Sequence, residues 1–224
     1  MVYLLFNEGY QSTGGGPVVR FDLCGEALRL GTELAGSPLG QKPKTHGLMA
    51  LLCFQAARLS SRTCDGWLLS LEEQDRSSWD TDLIRRGFGY LDASPAGTEM
   101  TSFHLEAAIA ACHCSAPTFA QTDWPSIARL YDLLVARDDS PVVRLNRAVS
   151  QGYRDGPEAA LVELNQLREE GALEGYHLLD ACLGEFHLRA GHRDQASAAF
   201  DRALGLCRSS EERAYLVKKR RLCL

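Results

Sequence analysis

Cys112-His113-Cys114 puts three potential metal ligands on consecutive residues. Zinc takes four ligands in a tetrahedron, usually as two spaced cysteine pairs or as one pair with two histidines. Adjacent residues on a helix point about 100° apart, so these three cannot all face one ion. No second cluster lies nearby in the sequence, so the trio reads as structural, and no metal is expected. His104, Glu106 and His113 are the polar residues of the same apolar stretch, and Glu106 and His113 share a helical face. That geometry suits an acid–base pair, or two core polar groups hydrogen-bonded to a neighbouring helix. Gly14-Gly15-Gly16 has neither the Lys-Ser/Thr of a phosphate loop nor the spacing of a dinucleotide fingerprint, and reads as a flexible loop. The sequence holds no Gly-x-Ser-x-Gly elbow and no His-Glu-x-x-His. With no nucleophile–base pair and no complete ligand set, neither an enzyme nor a bound cofactor is expected.

Two polar strings are harder to assign to plain surface. Asn7-Glu8-Gly9-Tyr10 follows the apolar residues 2–6, and Glu73-Gln74-Asp75-Arg76 precedes Trp79-Asp80. They are either helix caps and surface ion pairs or a structured polar joint that contacts a partner. In the second reading the strings meet in space, and the planar Arg76 guanidinium pairs bidentately with Glu8 or Asp75.

The elements carrying these residues are helical almost throughout. From Val19 onward, Leu23, Ala27, Leu30 and Leu34 fall on one face. A second helix follows Pro43. Asp65-Gly66 reads as a turn, Trp67 begins a short extended piece, and Ser77-Ser78-Trp79-Asp80 opens another helix. Ser94-Pro95-Ala96-Gly97 is the clearest break, and it divides the chain into an N-terminal helical region, 1–95, and a repeat region, 96–224. Beyond it, helix starts are expected at Thr122-Asp123-Trp124-Pro125, Ser140-Pro141, Gly156-Pro157, Tyr176, His192 and Ser210. Residues 177–210 fit a tetratricopeptide repeat: Leu183-Gly184 at the small-residue site, Gly191 in the turn, and Ala196, Phe200 and Ala203 packing the second helix. Residues 141–174 fit the same pattern more loosely. The expected fold is all-α, with antiparallel helix pairs forming a TPR-like right-handed solenoid.

Composition narrows the function classes. Of 224 residues, 45% are hydrophobic and 24% charged, ordinary for a globular protein. The net charge is −5, whereas nucleic-acid binding calls for a basic face, so direct binding is not expected. The one dense basic run, Lys218-Lys219-Arg220-Arg221, closes the last helix, where the dipole favours cations, and reads as a solvated helix end. The longest apolar stretch, 47–54, is far short of the roughly 20 residues a membrane span requires. The N-terminus shows no basic segment followed by an apolar run, so no signal peptide is expected, and a cytoplasmic location with eight reduced cysteines is.

Several longer strings carry a family resemblance. Tyr3-Leu4-Leu5-Phe6-Asn7-Glu8-Gly9-Tyr10, Leu71-Glu72-x-Gln74-Asp75-Arg76-Ser77-x-Trp79-Asp80 and Ser140-Pro141-Val142-Val143-x-Leu145-Asn146-Arg147-Ala148-Val149 are the most specific. Asp22-Leu23-Cys24, Leu105-x-Ala107-Ala108-Ile109-Ala110-Ala111-Cys112-His113, Asp123-Trp124 and Gly175-Tyr176-His177-Leu178-Leu179 continue the match in order. Together they resemble the long helical, tetratricopeptide-like C-terminal extension of extracytoplasmic-function RNA polymerase sigma factors. The two sigma domains that precede these strings in that family are absent from this chain. The resemblance implies a regulatory protein-interaction domain that modulates transcription initiation. It implies as partners the sigma domains in cis or RNA polymerase, and by association a small YCII-related protein. It marks Asn7, Glu8, Tyr10, Gln74, Asp75, Arg76, Trp79, His104, His113 and Asn146 as candidate contact residues. Gly31 and Gly40 depart from the family pattern, and a shortened or kinked second helix is expected there. Lys42-Pro43-Lys44 replaces a usually acidic segment, so no function is carried onto it. The rival reading is a small-molecule sensor whose pocket, between the N-terminal helices and the repeats, is lined by Tyr10, Trp79, His104 and His113.

Overall fold

A computed structural model describes residues 1–11, 19–64, 67–94 and 100–224. Gly14-Gly15-Gly16, the Asp65-Gly66 turn and Pro95-Ala96-Gly97 of the expected break lie outside the described residues. The described residues form eleven α-helices, three short 3-10 turns and two two-residue strands, β1 (Thr63–Cys64) and β2 (Trp67–Leu68). The protein is all-α. Among the described residues, no helix is long and apolar enough to cross a membrane. The chain divides into two compact units: residues 1–65 with 69–123, and residues 66–68 with 124–224. The break expected at 95/96 therefore falls inside the first unit.

That unit holds α1 (Val2–Tyr10), α2 (Phe21–Gly36), α3 (Pro43–Ala57), α4 (Thr81–Ala93) and α5 (Ser102–Ser115). Helix α3 is apolar nearly all round, and so it becomes the central element, packed against α2, α4 and α5. Its residues Met49, Leu52, Cys53 and Phe54 are almost completely buried. The packing of α5 on α3 is what carries the unit past residue 95. Helix α2 runs unbroken through Gly31 for 16 residues, without the expected shortening. Its buried stripe is Cys24, Ala27, Gly31 and Ala35, whereas Leu34 is exposed. Small residues on that stripe let the helices approach closely, and a Cβ at residue 31 would strike the Met49 sulfur. Asp80 caps α4, its carboxylate accepting from the Asp82 and Leu83 amides, both at 2.9 Å.

The second unit holds α6 (Trp124–Arg137), α7 (Pro141–Asp155), α8 (Pro157–Glu169), α9 (His177–Arg189), α10 (Arg193–Leu206) and α11 (Ser210–Arg221). Each helix packs on the next. The starts follow from local chemistry: prolines open α7 and α8, and the Ser140 and Ser209 hydroxyls accept from the Val143 and Glu212 amides. Gly191, at φ 80°, turns the chain between α9 and α10 and makes them an antiparallel pair. Leu145, Ala148, Ala160, Leu164, Leu183 and Phe186 form the core of the middle helices.

Candidate functional site

The two polar strings meet indirectly, at the C-terminal end of α3. The Arg62 guanidinium lies over the Tyr10 ring, 3.7 Å from its centroid, with that of Arg58 at 5.6 Å. Arg58 also donates to the Tyr10 hydroxyl, and Arg62 to the Tyr10 carbonyl. The Ser61 hydroxyl donates to the Arg58 carbonyl at 2.9 Å and lies 3.4 Å from Gln74 Oε1. Gln74 is buried, and its amide donates to the Leu69 carbonyl at 3.2 Å. Tyr10 and Gln74 thus share one polar joint. Arg58, Ser61 and Arg62, which join them, carry no motif by which sequence reading could find them.

Arg76 does not pair with Glu8 or Asp75. Its guanidinium donates to the carbonyls of His113 at 2.8 Å and Ala116 at 3.0 Å, and to the Thr122 hydroxyl at 3.0 Å. The last carbonyls of α5 have no donor within the helix, and a planar guanidinium reaches several acceptors at once. Those acceptors outbid the carboxylates. Asp75 is exposed and instead accepts from the Ser77 amide and hydroxyl, at 2.9 and 2.7 Å. Trp79 is buried within 5.2 Å of the Arg76 guanidinium carbon. Burial, with the Arg58 and Arg76 cations nearby, pushes the His113 imidazole down to about 3, so it is neutral at pH 7.

His104 sits at the opposite end of α5, nine residues or about 13 Å from His113. Its Nδ1 accepts from the Thr101 amide at 3.1 Å, and its Nε2 is 2.8 Å from the Ser94 hydroxyl. Tyr10, Trp79, His104 and His113 therefore do not converge on one cavity. Asn7 is exposed on α1 and Glu8 is half-buried beside it. Asn146 is exposed on α7, in the other unit. Its neighbours do more: buried Glu163 on α8 accepts from Arg147 at 2.6 and 3.1 Å and from Arg144 at 3.3 Å, while Arg144 also donates to Glu170 at 2.8 Å. These contacts secure helix ends and helix pairs rather than present groups to a substrate.

An open groove of about 600 Å³ lies in the second unit, between Trp67 and one face of α11. Ala214, Val217 and Trp67 supply its apolar part, and Arg213, Lys218 and Arg221 its charge. Among the described residues, no carboxylate lines it. The Trp67 side chain is 50% exposed, unusual for the largest apolar residue type. The basic run at the end of α11 is therefore not a uniformly solvated helix end. Lys219 turns inward to Glu185 at 2.9 Å and Arg220 pairs with Asp201, while Lys218 and Arg221 face the groove. An apolar floor with a cationic rim matches the anatomy of a docking surface, where tryptophan and arginine are the residues that most often carry binding energy.

The sequence comparisons give this chain a relative and a partial family match but no activity. Residues 1–95 match a family model described as a family of unknown function (DUF6596). An uncharacterized protein of Rhizobium meliloti (strain 1021) is 39% identical over 217 residues, which cover 96% of this chain and 51% of the relative. The chain spans about half the length of that curated relative. No solved structure matches it.

Proposed function

We propose that this chain is a regulatory protein-interaction domain of the kind that extends an extracytoplasmic-function sigma factor, and that it modulates transcription initiation in the cytoplasm by binding protein. The observation that carries binding, as against catalysis, is the Trp67–α11 groove: an open apolar floor rimmed by three cations on a chain of net charge −5. Its complement is an acidic amphipathic segment of a protein partner, which would bury an apolar side chain against Trp67 and Val217 and place carboxylates beside Arg213 and Arg221. The sigma-factor reading rests on the ordered motif strings. The Rhizobium relative supports it, because about half of that protein lies outside the matched segment, room enough for two sigma domains. In this reading α7–α8 and α9–α10 are successive tetratricopeptide-like pairs of a right-handed solenoid, and no nucleic acid is bound directly.

The test uses the unmatched half of the Rhizobium relative as bait for core RNA polymerase and for this chain. Polymerase should bind, this chain should be retained, and Trp67→Ala with Arg221→Glu should weaken retention at least tenfold. Failure to bind polymerase removes the sigma assignment. Retention indifferent to both substitutions removes the groove.

A further inference from the structure

Three residues far apart in sequence meet in the second unit. His177 opens α9, Cys207 ends α10, and Glu212 lies in the first turn of α11. Their imidazole nitrogen, thiol sulfur and carboxylate oxygen all lie within 4.8 Å of one another. His177 Nε2 is 3.5 Å from Glu212 Oε2, and Cys207 Sγ is 4.0 Å from the same oxygen. Both side chains of the His–Glu pair are largely buried, at 16% and 13% exposure, and Cys207 is buried. His177 Nε2 is fully buried and makes no hydrogen bond. An orphaned buried nitrogen of this kind calls for a partner.

We infer that His177, Cys207 and Glu212 form a binding site for a divalent transition-metal ion, best suited to zinc. Zinc bonds of about 2.0–2.3 Å to nitrogen, oxygen and sulfur give tetrahedral edges of roughly 3.3–3.6 Å. The His–Glu and Cys–Glu distances need to close by a few tenths of an ångström, and the imidazole–thiol distance, at most 4.8 Å, by up to about 1.2 Å. The donor set selects the metal class: a thiolate and an imidazole suit zinc and exclude the hard, oxygen-seeking magnesium and calcium. The charges also balance, since a thiolate and a carboxylate neutralise the ion while the histidine binds as the neutral base. Loading releases the thiol proton to solvent. Three protein ligands leave a fourth position for water or a partner's side chain. The ion would join the start of α9, the α10–α11 connection and the first turn of α11. The groove residues Ser210, Ala214 and Val217 lie on the opposite face of α11 from Glu212, whereas Arg213, the next residue, points about 100° away from it. The inference stands independently of what the groove binds.

The whole chain, stripped with chelator and kept reduced, is titrated with Co²⁺ and then Zn²⁺. One equivalent of cobalt should bring up tetrahedral ligand-field bands and a thiolate-to-cobalt charge-transfer band, and one equivalent of zinc should displace it. Zinc should raise the melting temperature of the wild type. Cys207→Ser should abolish the charge-transfer band while melting, metal-free, like the wild type. His177→Gln and Glu212→Gln should each weaken zinc at least tenfold, and Cys64→Ser, at the exposed thiol, should change nothing. Absence of uptake by the wild type overturns the site whatever the variants do. A charge-transfer band that survives Cys207→Ser, or vanishes with Cys64→Ser, overturns it equally.

Discussion

Gly184 on α9 lies directly beneath the ring of Phe200 on α10, so close that a Cβ at 184 would sit 2.7 Å from two ring carbons. Phe200 is 1% exposed and has nowhere to retreat. The missing side chain lets α9 and α10 approach, and the phenyl ring fills the space between them. Gly184→Leu should overpack this contact and cost about 1–3 kcal/mol. Gly184→Ala should cost less, because alanine's better helix propensity offsets part of the clash by about 1 kcal/mol. Urea unfolding of the two variants gives the order directly; equal stability of Gly184→Leu and the wild type would contradict the packing.

Arg76 gives the second prediction, and here the geometry reverses the expectation drawn from sequence. If Arg76 were a joint to a partner, Arg76→Lys would leave the isolated domain nearly as stable. The guanidinium instead satisfies two carbonyls and a hydroxyl at the end of α5, with Trp79 and Phe119 rings nearby. A lysine ammonium cannot span all three acceptors in that planar array. Arg76→Lys should destabilise the isolated chain by about 1–3 kcal/mol through acceptors left unsatisfied. A denaturation midpoint within error of the wild type would restore the partner-contact reading.

Much of the second unit was legible because its signals are local. Proline and serine at helix starts, glycine in the turn, and the Gly184, Ala196 and Phe200 spacing each act within one helix or one helix pair. The buried face of α2 was misread by one position. Of the expected face Leu23, Ala27, Leu30 and Leu34, Ala27 is buried, but the stripe continues through Cys24, Gly31 and Ala35, and the missing side chain of Gly31 makes room for Met49. The site features were least legible. Whether Lys219 or Lys218 faces the groove depends on Glu185, a residue on another helix, and Trp67 reaches α11 from a segment that precedes most of the chain. His177, Cys207 and Glu212 evade any search for ligands clustered in sequence. Asn146 drew notice as part of a long string whose structural weight falls on Arg147.

Glu163 anchors that string. Its carboxylate is 7% exposed as a residue and holds both Arg144 and Arg147 across the α7–α8 interface. Glu163→Gln would leave two half-buried cations facing a neutral amide. The loss should be about 2–4 kcal/mol, toward the low side of a broken buried pair because the arginines keep 17% and 25% exposure and Glu170 still serves Arg144. Arg147→Met should cost less than Glu163→Gln, since it removes one of two like charges and leaves the carboxylate paired. Thermal melts of both variants decide the order; the reverse order would show that Arg147, not Glu163, is the keystone.

His113 predicts the pH dependence of the fold. Burial, reinforced by Arg58 and Arg76, lowers its pKa from 6.5 to about 3 in the native state. Above pH 6.5 the imidazole is neutral in both native and unfolded chains and contributes no slope. Between that value and about 3, the unfolded chain binds a proton that the native chain does not, so stability falls as pH falls, by about 1.4 kcal/mol per unit. From pH 6.5 to pH 5 the loss from this residue alone is on the order of 2 kcal/mol. His187, also lowered chiefly by burial, adds to it with the same sign. His113→Gln removes the proton-binding difference while keeping a polar side chain of similar reach. Urea midpoints of the wild type and His113→Gln at pH 7 and pH 5 test this: the wild type should lose clearly more stability on acidification than the variant. Equal losses would place the proton-sensitive group elsewhere, with His187 in the second unit a candidate, and would show that His113 does not set the pH dependence.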